Sequence, residues 1–147
     1  MLKELPKEGI QMNEIEKLII DARLTGLAFT QLEEGKLRAI TDEIILKTAS
    51  YSGCLLPQTE FFAEIISNSI IDFFEKSAYG QLSVAEVFLA LHFNVRHGLK
   101  WPIGMDIEQV QFVGSVFHLD FFSKVLTNYM ALRNSLDRKL QNFIDGY

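Results

Sequence analysis

The sequence predicts an all-α protein, a compact single-domain bundle of five or six helices with the fourth helix near the centre. Apolar residues recur with a period near 3.6 almost everywhere, which is the period of an amphipathic helix. Runs of alternating Val, Ile and Thr joined by Asn-Gly or Asp-Gly turns, which are typical of hairpins, are absent. The three prolines, Pro6, Pro57 and Pro102, lie between periodic segments, where helix breakers are expected.

The composition is that of one globular domain. The chain has 147 residues, 48% of them hydrophobic, which is enough to bury a sizeable core. Apolar runs are only a few residues long, well short of the ~20 that a membrane span needs, and the first residues lack the apolar region of a secretory signal. The single cysteine, Cys54, cannot form an internal disulfide, so we expect a cytoplasmic protein. Within the domain 1–147, residues 1–12 are a candidate flexible start and residues 134–147 a candidate protruding helix end.

The net charge of −5 bears on the choice of partner. An acidic domain gains little from counterion release at phosphates. We therefore expect a protein partner, and we do not favour nucleic-acid binding by the surface as a whole.

Two helices are expected in the first third of the chain. Asn13 is the predicted N-cap of the first, which ends at Gly26. Thr30 and Glu33 have capping-box spacing and predict the start of the second, where Gly35 weakens the first turns. The predicted buried stripes are Ile15, Leu18, Ile19 and Ala22 in the first helix, and Leu37, Ile40, Ile44, Ile45 and Thr48 in the second.

The third helix is expected to begin near Thr59 and to end at Tyr79-Gly80. Its predicted main face is Phe62, Ile65, Ile66, Ser69, Ile70 and Phe73, with Phe61, Ile71 and Phe74 partly filling another. Ser83 and Glu86 predict a capping box for the fourth helix, with Gly98 at its C-terminal end. That helix is apolar on two faces, which predicts a central position; its stripe is Val84, Val87, Phe88, Leu91 and Val95, with Leu89 and Phe93 on the other side.

The last part of the chain divides into an ambiguous segment and a clear helix. Residues 99–119 are compatible with a short helix from Asp106 to about Val113 or with an extended piece around 110–116. The final helix begins near Asp120, and its narrow stripe past Arg133 can meet a partner. The stripe is Phe121, Phe122, Val125, Leu126, Tyr129, Leu132, Leu136, Leu140 and Phe143.

No residue pattern predicts a catalytic, cofactor or metal site. His92 and His97 are five residues apart, so their rings diverge on a helix, and His118 lies in another segment. Cys54 has no basic residue nearby in sequence, which favours a small buried hydrophobe over a nucleophile. The adjacent carboxylates Glu33/Glu34 and Asp42/Glu43 diverge as solvated faces, and no glycine-rich phosphate-binding loop is present.

Aromatic and basic residues are the remaining candidates. The Phe-Phe pairs at 61–62, 73–74 and 121–122 are either buried on two sides or partly exposed as binding anchors, and we favour the core. Trp101, beside Pro102, is a core residue or an exposed anchor. The C-terminal helix carries Lys124, Arg133, Arg138 and Lys139, a face that is either solvated or a nucleic-acid contact; Asp120 and Lys124 have ion-pair spacing.

Three segments carry a family resemblance: LPQTEFFAEIISNSIIDFF (56–74), LSVAEVFLALHFNVRHG (82–98) and FHLDFFSKVLTNYMALR (117–133). Together they resemble small all-helical replication accessory proteins of Bacteroidetes phages and mobile elements, which look like replicative-helicase loaders. The resemblance covers residues 40–135 and implies a non-enzymatic protein that binds a helicase. The polar and aromatic positions that match are Glu86, Asn94, Arg96, Tyr129 and Arg133. From the residues alone, Glu86 caps, Arg96 meets the helix end, Tyr129 packs and Arg133 is solvated.

The sequence thus favours a helicase-loader-like adaptor in DNA replication, which binds the replicative helicase or another host protein without cofactor, metal or membrane. The alternatives are a small phage-type inhibitor that occludes a host or defence protein, and an enzyme with an unrecognised site. The candidate partner-binding residues are Trp101, Phe121, Lys124, Tyr129, Arg133, Arg138 and Lys139. The oligomeric state is left open.

Overall fold

The structure, a computed structural model, describes residues 13–52, 55–94, 110 and 119–146. In these residues the chain forms five α-helices and no strand, which confirms the predicted all-α class. The helices are α1 (Glu14–Arg23), α2 (Glu34–Ser52), α3 (Glu60–Lys76), α4 (Val84–Phe93) and α5 (Leu119–Asp145). Short 3₁₀ turns at Phe29–Gln31 and Ala78–Gln81 precede α2 and α4.

Helix α4 lies at the centre of the bundle, as its two apolar faces predicted. It packs against α1, α2 and α5, while α3 packs against α2. Val87 and Ala90 on α4 are fully buried, and the core continues through Ile44 of α2 and Val125 of α5. None of the helices in the described part of the chain combines the length and the hydropathy that a bilayer span requires.

Helix α1 begins as predicted, but its buried face is rotated. Asn13 Oδ1 accepts a hydrogen bond from Glu16 N at 2.8 Å, and the Glu16 side chain accepts one from Asn13 N. Ile20 is buried in place of Leu18, which is exposed. The expected stripe was wrong at Leu18 because α1 faces α5 as well as α4, and this draws in the neighbouring side of the helix.

Helix α2 starts one turn later than the predicted capping box. The Thr30 hydroxyl donates to the carbonyl of Gly80 at 3.3 Å instead of capping a helix. Phe29 is buried and stacks on Phe74 of α3, with ring centroids 3.9 Å apart. Residues 29–31 form a 3₁₀ turn, in which Leu32 N donates to Phe29 O at 3.2 Å, and the α-helix begins at Glu34.

A short backbone pairing joins the two loops that flank these turns. Phe29 N donates to Leu82 O at 3.2 Å and Val84 N donates to Leu27 O at 3.3 Å, around an antiparallel bridge between Ala28 and Ser83. The pairing positions the N-terminal end of α4 beside the end of α1.

Helix α3 begins where expected, with the Thr59 hydroxyl accepting from Phe62 N at 3.2 Å. It ends earlier, at Lys76. The predicted main face was wrong at Phe62 and Ile65, which are exposed, and right at Ile70, which is buried. The centre of the buried face is Ser67, Ile70 and Phe74, with Ala63 half-buried beside them. Small side chains on this face let α3 approach α2 closely, and the Ser67 hydroxyl donates to Asp42 Oδ1 at 3.1 Å.

Helix α4 ends at Phe93, with Asn94 as its C-cap. The Asn94 side chain holds Val110 at two points: Nδ2 donates to Val110 O at 3.0 Å, and Val110 N donates to Oδ1 at 2.8 Å. The predicted C-terminal Gly98, the matching position Arg96 and the alternatives for residues 99–119 lie outside the described residues, except for 110 and 119.

Helix α5 contains the predicted stripe, buried from Phe121 to Leu140 and half-buried at Phe143. Leu136 and Leu140, on which a protruding end was predicted, are both buried. Two polar residues of this part of α5 also contact α1, since Asp137 pairs with Arg23 and Lys139 pairs with Glu16 at 2.8 Å. Up to Leu140 this helix end packs against the bundle, because its apolar stripe continues along the core.

Candidate functional site

The predicted aromatic contacts on α5 lie in the core. Phe121 and Tyr129 are both buried, so neither can meet a partner at the surface of this structure. The ring of Phe122 packs edge-on to Phe73 and Phe74, at centroid distances of 6.0 and 5.8 Å. Both rings of the Phe-Phe pair at 121–122 therefore lie in the core. Trp101 lies outside the described residues, as do Cys54, His97 and His118.

The basic face of α5 is largely engaged with carboxylates. Lys124 is exposed and pairs with Asp120 at 3.1 Å, the ion pair that the spacing predicted. Lys139 pairs with Glu16 of α1, and Arg138 is exposed. Arg133, read as solvated from the sequence, is only partly exposed and contacts Glu86.

A buried polar cluster forms at the N-terminal end of α4. Glu86 is 1% exposed, although carboxylates are rarely buried without partners. Its Oε1 accepts from Ser83 N at 3.1 Å, and Ser83 Oγ accepts from Glu86 N at 3.1 Å. The Ser83 hydroxyl in turn donates to Ala22 O at 2.7 Å. The predicted capping box is thus confirmed, and it also binds the end of α1.

Helix α5 supplies the remaining partners of Glu86. The Tyr129 hydroxyl donates to Oε2 at 2.8 Å, and Arg133 Nε lies 2.9 Å from the same oxygen. Residues four apart share one helix face, which is why both groups reach one carboxylate. The Arg133 N–H is not directed as in a hydrogen bond, so this contact is an ion pair only. We name Ser83, Glu86, Tyr129 and Arg133 the Glu86 cluster.

The cluster holds Tyr129 in its protonated form. Burial raises the pKa of the Tyr129 phenol far above its ordinary value near 10, and the adjacent Glu86 carboxylate raises that pKa further. The phenol therefore keeps its proton, and remains a hydrogen-bond donor, above the pH of about 10 at which an ordinary tyrosine loses it. The cluster ties α1, α4 and α5 together, because Ser83 contacts the end of α1 while Tyr129 and Arg133 lie on α5.

A polar cleft of about 340 Å³ opens beside the cluster. Its walls include Gln31, Gln81 and two guanidinium groups, those of Arg23 and Arg133. Each guanidinium already pairs with a carboxylate, Arg23 with Asp137 and Arg133 with Glu86. Both positive charges of the cleft therefore already have a carboxylate partner.

A second, shallower groove of about 530 Å³ runs between α1, α2 and α4. Its lining includes the apolar side chains of Leu18, Phe88 and Leu89 and the polar side chains of Lys47 and His92. His92 is half-buried, as predicted, and its ring packs edge-on to Tyr51 at 5.9 Å. This groove has the size of a small-ligand pocket but is open to solvent.

Helix α3 carries the most exposed large apolar side chains of the described chain. Phe61 is 69% exposed and Phe62 is 56% exposed, with ring centroids 5.9 Å apart. Ile65, one turn further on, is also exposed, as are Leu55 and Leu56 just before the helix. We call these five residues the α3 patch.

For two residues of the α3 patch, Phe62 and Ile65, the sequence predicted burial on the main face of α3, and the structure exposes both. The segment is apolar over two arcs, and the arc with the larger side chains was expected inside. The spacing of Ala63, Ser67, Ile70 and Phe74 was the available signal for the opposite choice, because small residues at a helix contact allow close packing.

The described residues contain no group of three His, Cys, Asp or Glu side chains placed to hold a metal ion. The carboxylate pairs Glu33/Glu34 and Asp42/Glu43 are exposed, as expected. No protein-family model, no curated protein and no solved structure matches this chain.

Proposed function

We propose that this protein is a non-enzymatic adaptor that binds another protein through the α3 patch, and that it acts in DNA replication as a helicase-loader-like factor in the cytoplasm. The observation that supports it is the exposure of Phe61 and Phe62 on a chain that buries its other two Phe-Phe pairs wholly or in large part.

The energetics favour covering these rings. Burying one exposed Phe side chain contributes roughly 1.5–3 kcal/mol. Adjacent exposed aromatic rings are typical of interaction sites, since such residues dominate binding energy at interfaces. The alternative of a nucleic-acid partner is less supported, because the chain is acidic and the Lys and Arg side chains of α5 largely contact carboxylates.

The choice of a replicative helicase rests on the resemblance carried by residues 56–74, 82–98 and 117–133. Two of these segments supply the Glu86 cluster, and the first contains most of the α3 patch. In this proposal the cluster is the rigid support, and the patch on α3 is the contact surface.

The test is light scattering behind a size-exclusion column, on the protein alone and mixed with the replicative helicase of a Bacteroidetes host. We expect a complex of defined stoichiometry that Phe61→Ser/Phe62→Ser abolishes. The matched control is Leu24→Ser/Leu27→Ser, which changes two exposed side chains that follow α1 and should leave the complex intact.

The absence of any complex at tens of micromolar would contradict direct binding of this protein to the helicase. A complex equally weakened by both variants would contradict the assignment of the α3 patch. If tagged protein instead binds another host protein and abolishes its activity, the occluding-inhibitor alternative replaces the helicase-loader function.

A further inference from the structure

The chain segment that carries the α3 patch is acidic. From residue 48 to residue 75 the chain contains four carboxylates and no Lys, Arg or His. Further along α3, a guanidinium from α2 is also present, since Arg38 donates to Asn68 Oδ1 at 2.9 Å. Glu60 and Glu64 lie one turn apart and border the patch along one side of α3. Both are exposed, and neither forms an ion pair with any other described residue.

We infer that the segment which covers the α3 patch is a basic amphipathic helix of the partner protein, with apolar residues seated on Phe61 and Phe62 and Lys or Arg beside Glu60 and Glu64. This inference rests on the proposed function, since it specifies the chemistry of the partner at the same surface. Complementary charge at the rim sets specificity and the rate of association, while the buried aromatic centre supplies most of the affinity.

The carboxylates of Glu60 and Glu64 also make some binding partners of the α3 patch less favourable than others. In a two-fold dimer that pairs the α3 helices antiparallel, Glu60 and Glu64 of the two copies would lie on the same side of the contact and approach one another. Like charges at a contact are destabilising, which disfavours a second copy of this chain. Phosphate-rich nucleic acid and anionic lipid are disfavoured for the same reason.

A helical partner fits the shape of the surface. Phe61 and Ile65 are four residues apart and form a ridge along α3, beside which Phe62 makes a second row. Ridges of this kind pack into the grooves of another helix, and recognition by apolar anchors at helical spacing is a common mode of protein–peptide binding.

The experiment is a selection from a phage-displayed library of random peptides of about 16 residues, or roughly four helical turns. The wild-type protein is the target, and Phe61→Ser/Phe62→Ser is the counter-target. We expect enriched peptides with net positive charge and apolar residues at i, i+3 and i+4. Enrichment of neutral or acidic peptides, equal capture on the counter-target, or no enrichment would overturn the inference.

A charge-reversal pair then isolates the acidic border. Binding of the best enriched peptide, made synthetically with a fluorescent label, is measured by anisotropy. Glu60→Lys/Glu64→Lys should weaken it at least about tenfold, whereas Glu33→Lys/Glu34→Lys should change it less than about twofold. Both variants change the net charge equally, and each reverses carboxylates near a helix start, so they differ in position only. Equal weakening by the two would overturn the inference.

The two proposals fail in different ways. If the helicase does not bind but basic peptides are selected on the patch, the replication function is wrong and the partner chemistry stands. If the helicase binds through Phe61 and Phe62 while the selected peptides are not basic, only the partner chemistry is wrong. Concentration-dependent dimerisation that Phe61→Ser/Phe62→Ser removes would assign the patch to a second copy.

Discussion

Glu86 is held in the core by Ser83 at the start of α4 and by two side chains of α5. Its carboxylate accepts from Ser83 N and from the Tyr129 hydroxyl, and it pairs with Arg133. Burying a charge is costly unless the partners are well placed, and removing one partner of a buried pair typically costs about 3–5 kcal/mol. The Glu86 cluster therefore makes folding sensitive to single substitutions at these positions.

Replacing Tyr129 by Phe should destabilise the protein by about 1–3 kcal/mol, because it leaves the buried Glu86 Oε2 without its hydrogen-bond donor. Tyr79→Phe is the matched control, since the Tyr79 hydroxyl bonds to the exposed Thr127 at 2.7 Å and water can replace it. Urea unfolding measures both. Equal losses of stability in the two variants would contradict this role of Tyr129.

The same tyrosine should make the protein alkali-sensitive. The pKa of Tyr129 lies near 10 in the unfolded chain and is raised in the folded state by burial and by Glu86. Below pH ~10 this stabilisation is fully present. Above it the unfolded state loses the proton first, so the free energy of unfolding falls by up to about 1.4 kcal/mol per pH unit.

Urea unfolding between about pH 8 and about pH 11 tests this prediction against Tyr129→Phe. Other groups titrate alike in both proteins, so the difference between the two curves isolates Tyr129. We expect the wild-type stability to fall more steeply above pH ~10. Parallel curves would show that the pKa of Tyr129 is not raised by folding.

At the scale of helices, the N-terminal caps were predictable where they depend on local contacts alone. Asn13, Thr59 and Ser83 each accept a hydrogen bond from a backbone N–H three residues later. The expected cap at Thr30 failed because the adjacent Phe29 is drawn into the core against Phe74. A local signal was thus overridden by a contact that is distant in sequence.

Two glycine substitutions should have opposite effects. Gly35 lies in α2, where an added Cβ meets nothing within 4 Å. Gly35→Ala should stabilise the protein by up to about 1 kcal/mol, through helix propensity. At Gly80 an added Cβ would come within 2.8 Å of Thr30 Cγ2 and closer still to the Phe74 carbonyl.

Gly80→Ala should therefore destabilise the protein by about 1–3 kcal/mol through steric overlap. Thermal unfolding followed by circular dichroism measures both changes. If Gly80→Ala is as well tolerated as Gly35→Ala, the close contact between the turn at Ala78–Gln81 and the end of α3 is wrong.

At the scale of the whole molecule, the phenylalanines fall into two groups. Some are buried and support the fold, and others are exposed and belong to the proposed contact surface. Phe74 and Phe122 are buried around the centre of the bundle, whereas Phe61 and Phe62 face solvent. Substitution of the buried phenylalanines should therefore change the stability of the fold, and substitution of the exposed ones should change partner binding.

Phe61→Ala should leave the free energy of unfolding within about 0.5 kcal/mol of wild type, since exposed side chains contribute little to folding. Phe74→Ala, its buried counterpart, should cost about 3–5 kcal/mol. Guanidinium chloride unfolding compares them. A large loss of stability in Phe61→Ala would mean that this ring is covered within the folded chain, and it would remove the basis of the α3 patch.

The sequence by itself determined the fold class, the central place of α4, three of the helix starts and the stripe of α5. These features depend on residues within a few positions of one another, so periodicity and capping spacing predict them. The sequence also shows no motif that predicts a known catalytic or cofactor-binding chemistry. A binding site built from common apolar and charged residues has no such motif, so the sequence does not reveal it.

Only the tertiary structure decided which apolar face of α3 is buried and which side chains surround Glu86. Tyr129 is 43 residues from Glu86, and Asp137 is 114 residues from Arg23. Contacts at such separations depend on how the helices pack, and the local pattern around Phe62 or Arg133 is compatible with either environment. The α3 patch was therefore hidden from the sequence, because exposure belongs to the assembled bundle and not to the helix alone.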